Sequence, residues 1–423
     1  MNNVSKLVLS AVLAVGVVAA PIVEAAVPAD KKELVKQLKK KRGGKALGPR
    51  IGKKVQAAFE LYSADDVNGA LEILLELEPK NEFDQAYVHR FIGNMYAGQK
   101  GQVAKALDSL FKAKELDQLP FDDHAGVIKL IADLSLQEQK FEQAIKHYYE
   151  YIEFSYDQDP NVYLRLANSY YEMKQYPEVI EPAKKAIELF PKPNQNPYVL
   201  IMASYYERKM YPEATKALET LVKVFPENPK WWTQLGMFYM LIEDYQRGLS
   251  TMEVAYKQGY LSTKAQYKQL AQLYASNGIP FKAATILEKY SASGVIDKDR
   301  SGVAIMATTF QNAREYKKAA KYFGEAARIG KVDGDLLRKQ GNALMIVEDF
   351  SGAVKAYQDA LDAGVKREGL VYMALAEAEF YRENWKKAHV AIKKAMEDKS
   401  TAKSARGWES YIRDTAERKG VAL

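Results

Sequence analysis

The chain has 423 residues, of which 48% are hydrophobic and 27% charged, with a formal net charge of +7 and no cysteine. So much apolar material can bury a large core, which excludes a disordered tail. The absence of cysteine excludes a lipidated N-terminal thiol, a disulfide framework, a thiolate metal site and a cysteine nucleophile.

At the N-terminus, Lys6 precedes an uncharged apolar run over residues 7–20, and Val23 and Ala25 supply the small residues of a cleavage signal. Residues 1–25 therefore read as a signal peptide cleaved near Ala25, because the run is shorter than the ~20 residues that span a bilayer. An uncleaved membrane anchor is the alternative. A cysteine-free exported chain fits a bacterial periplasm, and that location is expected here.

Residues 26–54 read as a flexible basic arm. Residues 31–54 hold eleven Lys or Arg, the first Lys31 and the last Lys54, against the single acid Glu33. This stretch carries +10 of the total +7, so the rest of the chain carries −3. Such a block attracts anionic lipid headgroups or an acidic partner, and it is equally the composition of a solvated linker. An exported chain is not expected to bind nucleic acid. Gly43, Gly44, Gly48 and Gly52 do not follow a strand and lack the spacing of a phosphate loop.

From there the chain repeats. A small residue recurs at Ala70, Ala106, Ala144, Val179, Ala214, Gly248, Ala283, Ala319, Ala353 and Ala388, at spacings of 34 to 38. Three positions earlier stand Phe141, Tyr176, Tyr211, Tyr245, Tyr316, Phe350 and Trp385, and seven later Ala113, Ala186, Ala255, Ala326, Ala360 and Ala395. Two antiparallel helices approach closely only where one side is nearly bare, and the aromatic fills the turn. Upstream, Trp232, Leu235, Gly236 and Tyr239 match W-x₂-L-G-x₂-Y, and Tyr163, Leu166, Ala167 and Tyr170 repeat it with Ala for Gly. This period and pattern are those of the tetratricopeptide (TPR) helix-turn-helix unit. The expected fold is all-α: a right-handed TPR solenoid of about ten repeats over 55–400, capped by a helix over 401–423 that carries Trp408, Tyr411 and Ile412. Val67 and Val103 replace the aromatic in the first two units, as terminal repeats allow.

No chemistry accompanies the repeats. The four histidines, His89, His124, His147 and His389, lie apart, and Asp66, Asn68 and Gly69 miss the calcium-loop pattern at Ala64 and Leu75. No nucleophile motif occurs. The reading is a non-enzymatic binding scaffold with no cofactor or metal.

Binding residues are sought on the first helix of each repeat, whose outward positions vary without harming the core. In the TPR family these include positions five, nine and twelve, which here give Asn168 and Tyr171, Ala203 and Tyr206, Thr308 and Gln311, and Asn342 and Met345. Arg90 precedes Asn94 by four residues, as Arg338 precedes Asn342, so each pair shares a helix face. Such pairs resemble those with which some TPR domains clamp a peptide carboxylate, the guanidinium bidentate and the amide on the peptide backbone. An ordinary solvated Arg beside an Asn is the competing reading. The candidate peptide-binding set is Arg90, Asn94, Asn168, Tyr171, Tyr206, Arg338 and Asn342.

The phrases SYYERKMYPEA, FPENPKWWTQLGMFYMLIEDY and QGYL between Pro197 and Tyr260, PFKAAT from Pro280, LGPRIGKKVQAAFELYSADD from Leu47 and FIGNMYAG from Phe91 add a narrower likeness. In these the chain resembles the periplasmic TPR proteins encoded beside TonB, ExbB and ExbD in marine gamma-proteobacteria. The resemblance implies an accessory component of a TonB-dependent, proton-motive-force-driven uptake system for iron complexes, with TonB, an ExbB-type protein or ExbD as partner. It carries no functional residues. The alternative is an envelope-biogenesis adaptor that binds peptidoglycan, polysaccharide or outer-membrane assembly factors.

Overall fold

The structure, a computed structural model, describes residues 29–423; the expected signal peptide and residues 26–28 lie outside them. All regular elements among the described residues are helical. The chain forms two compact units, Met1–Pro226 and Glu227–Leu423.

In the first unit, α1 (Ala29–Lys41) precedes five antiparallel pairs. These are α2 (Pro49–Ser63) with α3 (Val67–Leu75), α4 (Glu82–Ala97) with α5 (Val103–Glu115), α6 (Phe121–Gln137) with α7 (Phe141–Ser155), α8 (Pro160–Glu172) with α9 (Ile180–Leu189), and α10 (Gln195–Glu207) with α11 (Tyr211–Val224). A short 3₁₀ turn, Tyr176–Val179, leads into α9 because Pro177 and Pro182 weaken regular α-helical bonding there. The second unit pairs α12 (Pro229–Leu241) with α13 (Tyr245–Lys257), α14 (Lys264–Ser276) with α15 (Pro280–Ala292), α16 (Arg300–Asn312) with α17 (Tyr316–Ala327), α18 (Gly334–Ile346) with α19 (Phe350–Ala363), and α20 (Glu368–Tyr381) with α21 (Trp385–Glu397). It ends in α22 (Ala402–Arg418), which lays Ala405, Ile412 and Ala416 on the last pair, with Trp408 edge-on to Phe380.

Each recurring small residue sits where two helices cross. Ala70, Ala106, Ala144, Val179, Ala214, Ala319, Ala353 and Ala388 are fully buried, as are Ala113, Ala186, Ala255, Ala326, Ala360 and Ala395. A Cβ at Gly236 would collide with Met252, and one at Gly341 with the Tyr357 ring, so these helices approach to backbone contact. Most first helices begin at side-chain caps, those starting at Pro49, Phe121 and Glu368 excepted: Asp159 accepts from the Asn161 amide, Asp333 from Leu336, and Thr263 forms a reciprocal capping box with Gln266.

The turn between paired helices recurs in every repeat, except that in the second Gln102 bonds back only to the Gln99 carbonyl. The residue five positions before the small one is left-handed in all ten: Asp65, Gly101, Gln139, Lys174, Lys209, Glu243, Gly278, Arg314, Glu348 and Glu383. The next amide then bonds back to the carbonyl five residues earlier, as in Gln175 to Tyr170 and Ile279 to Tyr274, both 2.9 Å. This arrangement satisfies the carbonyls that a helix end leaves open.

The basic stretch departs from expectation. Instead of a flexible arm, it contains α1 and the start of α2, which opens at Pro49, inside the expected arm. The link between them is tied to the repeats: Gly48 donates its amide to the buried carboxylate of Asp84 at 3.2 Å, and the Asn81 side chain holds that carboxylate at 2.7 Å. Arg42 donates to the Asp117 carbonyl at 2.8 Å, Lys39 pairs with Asp122 at 2.9 Å, and Lys45 donates to Gln118 at 2.7 Å. Composition predicted solvation, but Asp117 on the α5–α6 connection and Asp122 in the first turn of α6 supply countercharges that no local pattern reveals.

Candidate functional site

The first helices of the repeats carry the candidate residues, and the two units treat them differently. In the first unit the charged side chains of this face are paired across neighbouring repeats. Arg90 on α4 meets Asp123 on α6 at 2.5 Å, Lys129 on α6 meets Asp159 at the start of α8 at 2.5 Å, and Arg165 on α8 returns to Asp133 on α6 at 2.5 Å. Asp133 also accepts the Tyr148 hydroxyl at 2.6 Å, and burial and that carboxylate push the phenol far above its ordinary range. The Lys129 ammonium, bonded to Asp159, holds that carboxyl below its usual range against the cost of burial.

Arg90 is therefore engaged: besides Asp123, its guanidinium lies 5.0 Å from the Tyr87 ring. Asn94 is exposed beside it. A partner carboxylate would have to displace Asp123. Asn168 is half-buried, with its side-chain oxygen enclosed and unbonded. Tyr171 is only 9% exposed and packs on Tyr176, with ring centroids 5.5 Å apart; Tyr206 meets Tyr211 in the same way at 5.8 Å. In both, the position-twelve ring packs on the turn aromatic, so much of its surface serves the repeat.

In the second unit Lys264 and Arg300 are likewise tied to the next connection, by Asp297 and by the Ile329 carbonyl, but the face at Arg338 is open. Arg338 on α18 faces Asp335 only at 3.7 Å, and its Nε has no hydrogen-bond partner. Asn342, exposed one turn on, accepts the Tyr357 hydroxyl of α19 at 2.9 Å. The carbonyl end of this amide is thereby occupied, which leaves the amide N–H₂ facing outward as a donor. On α20, Glu377 has no ion pair among the described residues, and burial pushes its carboxyl above the usual range. Burial raises the Tyr357 phenol, the charge of Glu377 raises it further and that of Arg338 opposes it. Thr308, Gln311, Ile346 and Tyr381 are exposed on the first helices α16, α18 and α20, the last stacked on Phe350 at 5.0 Å. This face therefore offers a guanidinium, an amide donor and a carboxyl beside apolar surface. Together these can hold the main chain and charged termini of an extended peptide.

Tyr357 and Glu377 were absent from the sequence-derived set. Glu377 could have been found, since it occupies position nine of the tenth repeat. Tyr357 could not, because it belongs to a second helix and reaches the face only through the close approach at Gly341. Among the described residues no group of three metal-ligating side chains converges, and no helix is long and apolar enough to cross a membrane.

No family model matches the chain, and no curated protein matches it. Solved structures do match. The C-terminal part of a TPR repeat-containing protein from Cytophaga hutchinsonii is 17% identical, covering 57% of this chain and 97% of its own, with a TM-score of 0.38. A tetratricopeptide repeat protein from Parabacteroides merdae is 13% identical over 62% of this chain and 99% of its own, with a TM-score of 0.34. The MamA protein is 17% identical over 40% of this chain and 90% of its own, with a TM-score of 0.33. At these scores the fold assignment stands on the chain's own evidence, ten helix pairs of TPR pattern with one repeated turn.

Proposed function

We propose that this protein is a non-enzymatic scaffold that holds an extended partner segment on the first-helix faces of its repeats, chiefly at Arg338, Asn342 and Glu377, with the buried Tyr357 orienting Asn342. The observation that carries the reading is the contrast between two similar pairs. Arg90 is closed by Asp123 at 2.5 Å, whereas Arg338 keeps no carboxylate closer than 3.7 Å and lies beside an amide already oriented by Tyr357. A guanidinium without a close internal partner is free to bind a carboxylate bidentately, and preorganisation of its neighbour lowers the cost of binding.

For the partner we propose the periplasmic part of TonB, an ExbB-type protein or ExbD, in a TonB-dependent iron-uptake system. The support is the sequence resemblance over residues 47–285. The test is affinity purification of the mature protein after crosslinking in iron-limited cells, followed by calorimetry with the recovered partner. Recovery of one of the three, with affinity reduced tenfold or more by Arg338→Ala with Asn342→Ala and little changed by Arg90→Ala with Asn94→Ala, is the expected result; tenfold corresponds to about 1.4 kcal/mol. Recovery of murein enzymes or outer-membrane assembly factors instead would replace the transport assignment with envelope biogenesis. Equal effects of the two double variants would remove the site assignment.

A further inference from the structure

The first helix of the described chain is held against the first unit by one edge only. Val35 and Leu38 are half-buried, while Lys32, Lys36 and Lys40, spaced four residues apart on one strip, are exposed along with Lys31 and Lys41. Of the eleven cations in residues 31–54, Arg42 and Lys45 engage the α5–α6 connection, Lys39 engages Asp122 in the first turn of α6, and Lys36 meets Glu33 at 3.8 Å. Lys31, Lys32, Lys40, Lys41, Arg50, Lys53 and Lys54 are exposed and have no acidic partner among the described residues.

The seat that receives the three is equally specific. Arg42 places its guanidinium 5.2 Å from the Phe154 ring while bonding Asp117 through both side chain and carbonyl. Phe154 stacks on Phe121 at 5.1 Å and meets His124 at 4.9 Å, and Lys39 lies 5.9 Å from the Phe121 ring. Asp117 holds a left-handed backbone, φ 50°, that a non-glycine residue adopts only at a cost, so the seat is shaped by more than chain connectivity.

We propose that α1 is an electrostatic latch that exchanges between this seat and an anionic phospholipid surface, and that it is the protein's membrane-docking element. Charge complementarity names the occupant. The seat neutralises only Lys39 and Arg42, through carboxylates that are largely solvent-exposed, Asp122 at 73% and Asp117 at 65% side-chain exposure, and offers Lys45 only the neutral Gln118 amide. Exposed pairs of this kind hold weakly in water. An extended anionic surface acts on every cation of the strip at once, and its attraction adds along the array. The exposed strip is thus the first contact, and release of Lys39, Arg42 and Lys45 completes docking. The groups on α18, α19 and α20 play no part, so the inference stands apart from the proposed partner binding.

The experiment is flotation of the full mature chain with vesicles of phosphatidylethanolamine and phosphatidylglycerol, against phosphatidylcholine alone. A zero-length carbodiimide crosslink between Lys39 and Asp122 reports the latch. Expected are binding to the anionic vesicles only, loss of that binding as salt rises, and a large drop in crosslink yield in the vesicle-bound fraction. Lys32→Glu with Lys36→Glu and Lys40→Glu should abolish binding, while Arg42→Ala, which opens the latch, should strengthen it several-fold. Binding that survives the triple reversal would overturn the proposal, as would an undiminished crosslink on vesicles. So would an equal loss on reversing Lys386, Lys387 and Lys393, exposed on α21, since bulk charge alone would then explain docking. Failure to bind anionic vesicles at all, with capture of an acidic protein instead, would likewise overturn it.

Discussion

The hydroxyl of Tyr357 donates to the side-chain oxygen of Asn342 across the α18–α19 interface at 2.9 Å, and the two residues are fifteen positions apart. Tyr357 is 1% exposed, so an internal side chain sets the orientation of a surface amide. The ring can lie there because Gly341 lacks a Cβ. A packing residue and a recognition residue are thereby coupled.

Tyr357→Phe keeps the ring and removes the donor. The variant should lose about 1 kcal/mol of stability or less, since Asn342 is exposed and can bond to water. Partner affinity should fall several-fold, because the amide is no longer held with its N–H₂ outward. Calorimetry beside denaturant unfolding separates the two effects. An affinity loss that merely tracks a stability loss would count against preorganisation.

The repeated left-handed turn makes an opposite-sign pair of predictions. Gly278→Ala places a Cβ at φ +72° and should cost about 1 kcal/mol. Glu348→Gly relieves a left-handed non-glycine at φ +61° and should be neutral or stabilising, despite the added freedom of glycine in the unfolded chain. Urea midpoints of the two variants against the parent decide this; stabilisation by Gly278→Ala together with destabilisation by Glu348→Gly would mean the turn carries no backbone strain.

Three histidines of the first unit make it acid-sensitive. Burial lowers His124 below its ordinary 6.5, assisted by Arg42; burial also lowers His147 and His89, with the Lys114 and Lys112 charges adding respectively. The unfolded chain therefore takes up protons more readily than the folded one. Stability from these groups is complete above pH 6.5 and is lost progressively as pH falls below it. Hydrogen exchange across α6 and α7, corrected for intrinsic rate, should show protection falling between pH 7 and 5.5, and His124→Phe should flatten that slope. A pH-independent profile in the parent would refute it.

Ala319→Leu tests the close approach of α16 and α17. The site is fully buried between Ala307 and its neighbours, and added methylenes have no cavity to enter. A loss of about 1 to 3 kcal/mol is expected in thermal or urea unfolding, and a loss below about 0.5 kcal/mol would show that the helices can part at little cost. Trp231, Trp232, Trp385 and Trp408 all lie in the second unit, so tryptophan fluorescence reports its unfolding directly.

The repeat architecture was legible because the helix crossings are short-range and recurrent. A glycine at 236 is required by Met252 on the paired helix, sixteen positions away, and the same requirement for a small residue returns every repeat. The contacts of the basic stretch were not legible for the opposite reason. Lys39, Arg42 and Lys45 find Asp122, Asp117 and Gln118 more than seventy positions later, a separation without a signature in composition.

Sequence alone determined that this is an all-helical array of ten TPR-type pairs, since periodic small residues dictate where helices may touch. It named candidate outward positions, of which Tyr171 and Ala203 are buried. Only tertiary structure decided which outward charges are available. Arg90 and Arg338 occupy equivalent positions and read alike, yet Asp123 from the next repeat closes one and leaves no counterpart for the other. Availability depends on countercharges brought near by packing, and a hydrogen bond of 2.5 Å or a gap of 3.7 Å follows from the placement of neighbouring helices rather than from local pattern.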